Sequence, residues 1–317
     1  MFTANEKMRQ AIVVLPAGMS GRINDARQRR WLSRTTLQNP QTPKDIFVRV
    51  LVAIGLTPPS EGLAALRFWG QTGDRPTVWI AAADPVHMEA RLDHLCLHAL
   101  QGEQSPRSDL RAVFDFLQTS LGDNTSFAFA RVGKCGYLRG DEGMVTAAMP
   151  AAAIDGQAPD DFMPSGEAAA GYHRLTSELQ LSLHEHEVNL RREEEGLLPI
   201  NSVWFWGGGM APEKKVQLLP PFFGEEPLFQ GFWRSCTGVI APWPGNFATC
   251  LDIAVKDLVV VPPAENDDSL VSYLDELRGL LKRGSIDRLV LLFRDGLVAE
   301  AGRFDAFRFW RRMSPLL

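Results

Sequence analysis

The chain has 317 residues, 45% hydrophobic and 22% charged, with 33 Lys and Arg against 38 Asp and Glu for a net charge of −5. That balance argues against a generally nucleic-acid-binding surface. No apolar run approaches the roughly eighteen residues of a membrane span, so a cytoplasmic protein of one large or two ordinary domains is expected.

The first predicted element is the strand "AIVVLPAG"; its apolar run is short for a signal peptide and no small-residue cleavage pattern follows. The helical pattern "PKDIFVRVLVAIG" comes next, giving strand then helix. "TVWIAAAD", "DHLCLHAL", "SFAFARV" and "GYLRG" read as separate short strands, with "SDLRAVFDFLQTSLG" a helix between the second and third. Residues 147–170, rich in Ala, Pro and Gly, read as a long loop. A long helix is expected from about Glu167 to Glu195. It delivers the chain to "LPINSVWFWGGGM", a buried strand, a glycine turn and a helix start at Pro212.

At the end of the sequence, "DLVVVPP", the helical "DDSLVSYLDELRGLLKRG" and "DRLVLLFRDG" make a βαβ unit. Both strands are nearly continuous in apolar residues, which predicts a mostly parallel sheet covered by helices on both faces. The expected architecture is an α/β core from 1–70 and 197–317, interrupted by an inserted α+β domain over 71–196 that ends in the long helix. The tail "RFDAFRFWRR" interleaves Arg303, Arg308, Arg311 and Arg312 with Phe304, Phe307, Phe309 and Trp310. It reads as a segment docked by its aromatics with arginines turned outward, as a patch for nucleic acid or an acidic partner, or as a protein-interaction module. Four widely spaced cysteines, Cys96, Cys135, Cys236 and Cys250, form no C-x-x-C pair and suggest no disulfide framework.

The run "LHEHEVNLRREEEGLLPINSVWFWGGG" resembles a signature of the archaeal-type cofactor-independent phosphoglycerate mutases and of the bacterial RpfE-type regulatory proteins. The positions that carry it are His186, Val188, Asn189, Arg192, Gly196, Pro199, Asn201, Trp204, Trp206, Gly207 and Gly209, with Glu187 where the pattern has Pro. "VVLPAGM", "AADPVHM" and "FARVGKCGYLRGDEG" extend the similarity. It implies an alkaline-phosphatase-like core with an inserted substrate domain. Such mutases use two metal ions, a serine nucleophile and Asp and His ligands, several of the histidines in the C-terminal third. Here Ala17 stands where their opening strand carries Asp, and all six histidines fall at or before His186. "GYLRG" also lacks their Tyr-Arg-His order, leaving Tyr137 and Arg139 shifted.

The expectation is therefore a regulatory, non-catalytic relative with no metal or cofactor. It would bind a small phosphate- or carboxylate-bearing anion, or a protein, and neither nucleic acid nor membrane. Successive backbone N–H groups at Gly207, Gly208 and Gly209 can cradle an anion, with Asn189, Arg192 and Asn201 beside them; the same glycines can instead mark close backbone packing. Arg192 reads as a phosphate ligand or as part of a polar helix face. Asp84 and His87 form a candidate acid/base or metal pair after a strand end turned by Pro85, or a turn in which Asp84 caps local amides. His184 and His186, two apart on a helix, project about 200° from one another and cannot chelate together. His94, Cys96 and His98 share one strand face, but the outer pair are about 13 Å apart, too far for one ion. A rearranged metal set from Asp84, His87 and His94 would make the protein an active phosphatase or mutase instead.

Overall fold

The computed structural model describes residues 9–19, 22–38, 45–100, 104–122, 126–254, 256–263, 269–308 and 311–317. In chain order the elements are β1 (Gln10–Leu15), α1 (Ala26–Leu32), β2 (Thr36–Gln38), α2 (Ile46–Ala53), α3 (Leu63–Thr72), β3 (Trp79–Ala90), β4 (Leu95–Ala99), α4 (Arg107–Ser120), β5 (Phe127–Val132) and β6 (Cys135–Gly140). They continue with α5 (Ala170–Leu183), α6 (Glu187–Glu194), β7 (Ser202–Gly209), β8 (Phe222–Gly224), α7 (Pro227–Ser235), β9 (Ile240–Ala241), α8 (Phe247–Ile253), β10 (Leu258–Val261), α9 (Ser269–Arg283), β11 (Arg288–Phe293) and β12 (Val298–Gly302).

Two compact units result, Met1–Pro58 with Lys214–Leu317, and Pro59–Glu213. The first holds a seven-stranded sheet in the order β2-β12-β11-β1-β10-β8-β9. From β11 to β9 all neighbours are parallel, and β12 and β2 close one side antiparallel. The predicted crossover is present: β10 and β11 flank β1 and are joined through α9. Strand alternation sends Ala11, Val13 and Leu15 into one apolar cluster with Trp31 and Leu32 of α1, Cys250 of α8, and Leu274, Leu277 and Leu281 of α9. A separate set of aromatics joins α2 to α7, where Phe47 meets Phe229 and Phe232 edge-on. The expected α/β core, a mostly parallel sheet flanked by helices, is thus observed.

The second unit is the α+β part. Its sheet runs β4-β3-β6-β5, with β7 on the other edge of β3. This moves the boundaries away from 70/71 and 196/197. β7 pairs antiparallel with β3 and α3 packs on both strands, so "LPINSVWFWGGG" belongs to the inserted unit. An apolar run reads the same in a parallel core and in an antiparallel strand whose two faces are both covered.

Two further expectations change. Pro85 makes no turn, because β3 runs through it. On that edge of β3, pairing to β6 stops at Ala83 and pairing to β4 starts at Val86, so the missing proline N–H falls in the gap between two partners. The long helix is broken at His184–His186, where the His186 Nδ1 accepts the Val188 N–H at 3.2 Å and caps α6. Burial holds the His186 imidazole below its usual range. A histidine whose folded value lies below its unfolded one contributes stability present above about pH 6.5 and lost as pH falls through the folded value. Replacing His186 with Asn, which keeps a capping acceptor, should flatten the fall in stability as pH drops below about 6.5 while leaving stability at pH 8 nearly unchanged, as read from urea midpoints.

Candidate functional site

The residues that carry the mutase-like signature come together, but as a clamp. Gly196 at φ 72° closes α6, with Leu197 N–H on the Arg192 carbonyl at 2.7 Å and Gly196 N–H on the Glu193 carbonyl at 3.0 Å, the paired bonds of a Schellman motif. The Asn189 amide donates to the Leu183 and Ile200 carbonyls and accepts the Ile200 N–H, all within 2.9 Å. Asn201 repeats the device across strands, accepting from Met88 N–H and donating to Met88 carbonyl. Arg192 has no exposed surface. Its guanidinium meets Asp109 Oδ2 at 2.9 Å and the Leu198 and Gln104 carbonyls at 2.9 and 2.7 Å, which occupies each of its nitrogens.

Gly207, Gly208 and Gly209 do not turn. They are the end of β7, and 210–221 contains no helix. Two of their amides are spent locally, Gly207 on the Ala147 carbonyl and Gly208 on Thr146 Oγ1. A Cβ at Gly207 would lie 2.9 Å from Leu63 Cβ, at Gly208 2.6 Å from the Trp79 ring, and at Gly209 2.5 Å from Gly62 N. Their smallness admits the start of α3 and the Trp79 indole. The expected anion cradle is absent here, and the close-packing alternative is the one observed.

Asp84 and His87 also part company. Three residues apart on one strand, they face opposite sides of the sheet. Asp84 Oδ1 takes Arg67 at 2.6 Å and Oδ2 takes the Trp206 indole N–H at 2.5 Å, whereas His87 Nδ1 lies 3.0 Å from the Pro199 carbonyl. His94 pairs with Asp93 at 2.6 Å. No acid/base pair and no Asp84–His87–His94 metal set is formed.

In open α/β sheets ligands gather beyond the carboxyl ends of the parallel strands. At that edge of the first unit Asp295 Oδ2 accepts the Gly18 and Met19 N–H groups at 2.6 Å each, and Arg294 pairs with Glu226. Ala17 supplies no donor atom, and every histidine of the sequence lies in the other unit.

The first unit contains a different anion-seeking feature. A cavity of about 230 Å³ between α1, α9 and the end of β12 is lined by Arg27, Arg30, Arg34, Arg278, Lys282 and Arg303, with Trp31 and Leu281 as apolar wall and no lining carboxylate. Helix spacing builds it: Arg27, Arg30 and Arg34 recur at three and four residues, as do Arg278 and Lys282. At the rim Asp25 meets Arg27 at 3.1 Å and Asp287 meets Arg303 at 2.8 Å. Arg278 Nε is buried with no hydrogen-bond partner among the described residues. Like charges crowded on a protein of net charge −5 repel one another, and a bound oxyanion relieves that repulsion through charge-assisted bonds. The α1 spacing in "ARQRRWLSR" was the one sequence signal; its convergence with residues some 250 positions later was not readable. Of the tail, Arg303 joins this cavity and Phe304 is exposed, so the docked-aromatic reading fails at that residue. The Phe307 side chain, Phe309 and Trp310 lie outside what the structure describes.

No family model matches this chain. Segments of it are similar to 2,3-bisphosphoglycerate-independent phosphoglycerate mutases. The match to that of Methanosarcina acetivorans is 39% identical over 76 residues, 24% of this chain and 19% of the relative. To that of Methanosarcina barkeri it is 38% over 107 residues, 33% and 27%. A probable mutase of Geobacter sulfurreducens is 39% identical over 82 residues, 26% and 18%. The matched segments thus span only about a fifth to a quarter of those relatives. Among solved structures, the cofactor-independent phosphoglycerate mutase of Thermoplasma acidophilum aligns over 92% of this chain and 89% of its own, at 15% identity and TM-score 0.42. A Pyrococcus horikoshii protein aligns over 93% and 88%, at 13% identity and TM-score 0.49.

Proposed function

We propose that this phosphoglycerate-mutase-like chain is a binding protein and not a phosphoryl-transfer enzyme, and that it acts in a regulatory role by holding a small phosphate- or carboxylate-bearing anion. The observation that carries the reading is the cavity of six cationic side chains between α1 and α9. The alkaline-phosphatase-like ancestry inferred from the signature explains the scaffold. The lack of imidazole donors in the first unit, and of a carboxylate at Ala17, argues against a bimetallic phosphoryl-transfer centre on the parallel sheet. With the Gly207 and Gly208 amides occupied, the proposal places the anion in the arginine cavity and not on the glycine strand.

Calorimetric titration of the tag-free protein with 3-phosphoglycerate and with inorganic phosphate tests this. Saturable binding is expected, weakening with salt. The double variant Arg30→Ala with Arg278→Ala should weaken it by roughly 100-fold or more, at about 1.5–3 kcal/mol per charge-assisted contact. Manganese-dependent turnover of 3-phosphoglycerate by the native protein would overturn the non-catalytic half of the proposal. Unchanged affinity in the double variant would overturn the site.

A further inference from the structure

"DHLCLHAL" supplies one strand, β4, and β3 lies antiparallel beside it. In the antiparallel pair β3–β4, His87 lies directly opposite His98 and Glu89 directly opposite Cys96. Residues two apart on a strand share a face and directly paired residues share it too. His87, Glu89, Cys96 and His98 therefore occupy one patch, two positions by two, and His94 lies outside it.

We propose that this patch binds one borderline-soft divalent cation of the zinc class, with Cys96 Sγ, His98 Nε2, a Glu89 carboxylate oxygen and His87 Nε2 as donors. The donor atoms of Glu89, Cys96 and His98 lie within 4.8 Å of one another, and His98 Nε2 is 2.8 Å from Glu89 Oε2. On a tetrahedral ion with bonds of about 2.0–2.3 Å, donors stand roughly 3.3–3.7 Å apart. Side-chain rotation closes that difference without moving the strands. The His87 and His98 rings have centroids 6.1 Å apart, about 1 Å more than two imidazoles sharing such an ion.

The tautomer of His87 is already set for the task. Its Nδ1 lies 3.0 Å from the Pro199 carbonyl, which only accepts, so Nδ1 carries the proton and the neutral ring keeps its lone pair on Nε2. Backbone carbonyls fix metal-binding histidines in this manner. Cys96 is buried at the floor and Glu89 and His98 are half-exposed above it, giving an inner soft donor and a path from solvent. The Cys96 thiol releases its proton to solvent on binding, and thiolate plus Glu89 carboxylate offset a 2+ ion, with Arg91, which faces both Cys96 and Glu89, adding one positive charge at the rim. Arg91 donates to Glu89 Oε2 at 2.9 and 3.2 Å, the same oxygen that His98 meets, and bonding through Oε1 leaves that pairing intact. This patch belongs to the second unit, whereas the arginine cavity and the parallel-sheet edge belong to the first.

Cobalt(II) titrated into the reduced, tag-free full chain is the test. One equivalent should produce a thiolate-to-cobalt charge-transfer band with the intense visible absorption of tetrahedral cobalt, and added zinc should abolish both. Cys96→Ser should remove the charge-transfer band. His98→Gln and His87→Gln, at half-exposed positions, should each weaken binding at least about tenfold, while His94→Gln should not. No thiolate band in the native protein, a band that survives Cys96→Ser, or equal weakening by His94→Gln would each overturn the proposal. Should Cys96→Ser fail to fold, unaltered affinity in both His→Gln variants would overturn it as well.

Discussion

Arg192→Ala is expected to destabilise the second unit by about 3–5 kcal/mol, because it strips one partner from a buried ion pair and leaves the other charged. Asp109, in the first turn of α4, is 3% exposed and would keep the half-exposed Arg191 at 2.7 Å and the Ser108 hydroxyl at 3.3 Å, both on Oδ1, while Oδ2 loses its charged partner. The Leu198 and Gln104 carbonyls would lose their donor as well, at about 1–3 kcal/mol for each buried group left unpaired, less what relaxation and water recover. Urea denaturation should show a large fall in midpoint with little change in slope. Converting both partners, Arg192→Met with Asp109→Leu, should recover part of the loss, since an apolar pair of similar volume carries no stranded charge. Anion affinity of the folded Arg192→Ala protein should be unchanged. Lost phosphate affinity at native stability would instead restore Arg192 as a ligand.

That contrast shows what the sequence carried and what it withheld. Apolar periodicity located β1, β10, α9 and β11 because burial of those runs is dictated locally, by residues adjacent in the chain. The signature around Asn189, Arg192 and Asn201 was recognisable for the same local reason, but the text "NLRREEEGLLPIN" is identical whether Arg192 points at a ligand or at Asp109, 83 residues earlier. The glycine run had two readings, and the approach of α3 decided between them. The helix break at His184–His186 had no glycine or proline to announce it. The arginine cavity is built from segments far apart in the chain, α1 with α9, and has no contiguous motif; the β3–β4 patch comes from consecutive strands, but only their register brings its four side chains together. A scan along one strand could reject His94 with His98 on distance and still miss Glu89, which the neighbouring strand supplies.

Asp84→Ala should cost at least about 3 kcal/mol, and the reason lies in what surrounds the arginine it serves. Arg67 is 8% exposed. Its guanidinium carbon lies 4.8 Å from the Tyr137 ring centroid and 5.2 Å from that of Trp206, and Nη2 donates to the Gly136 carbonyl at 2.8 Å. Burial alone disfavours charge on Arg67, yet the Asp84 carboxylate, with Tyr137 and Cys135, holds its ionisation above the ordinary range. Two aromatic faces contribute about 0.5–2 kcal/mol each by cation–π attraction, less than the cost of a buried unpaired cation. Removing Asp84 therefore leaves the aromatics unable to compensate, and it orphans the Trp206 indole N–H at the same time. Asp84→Asn keeps an acceptor for Trp206 and should cost less than Asp84→Ala. Arg67→Met with Asp84→Leu should be more stable than either charge-deleting single variant. His87→Ala, on the opposite face of β3, should leave the Arg67–Asp84 pair and Trp206 fluorescence unchanged. A midpoint shift worth under about 1 kcal/mol for Asp84→Ala would show that the pair behaves as a solvated surface bridge, and Asp84 would again be free to act as an acid or base.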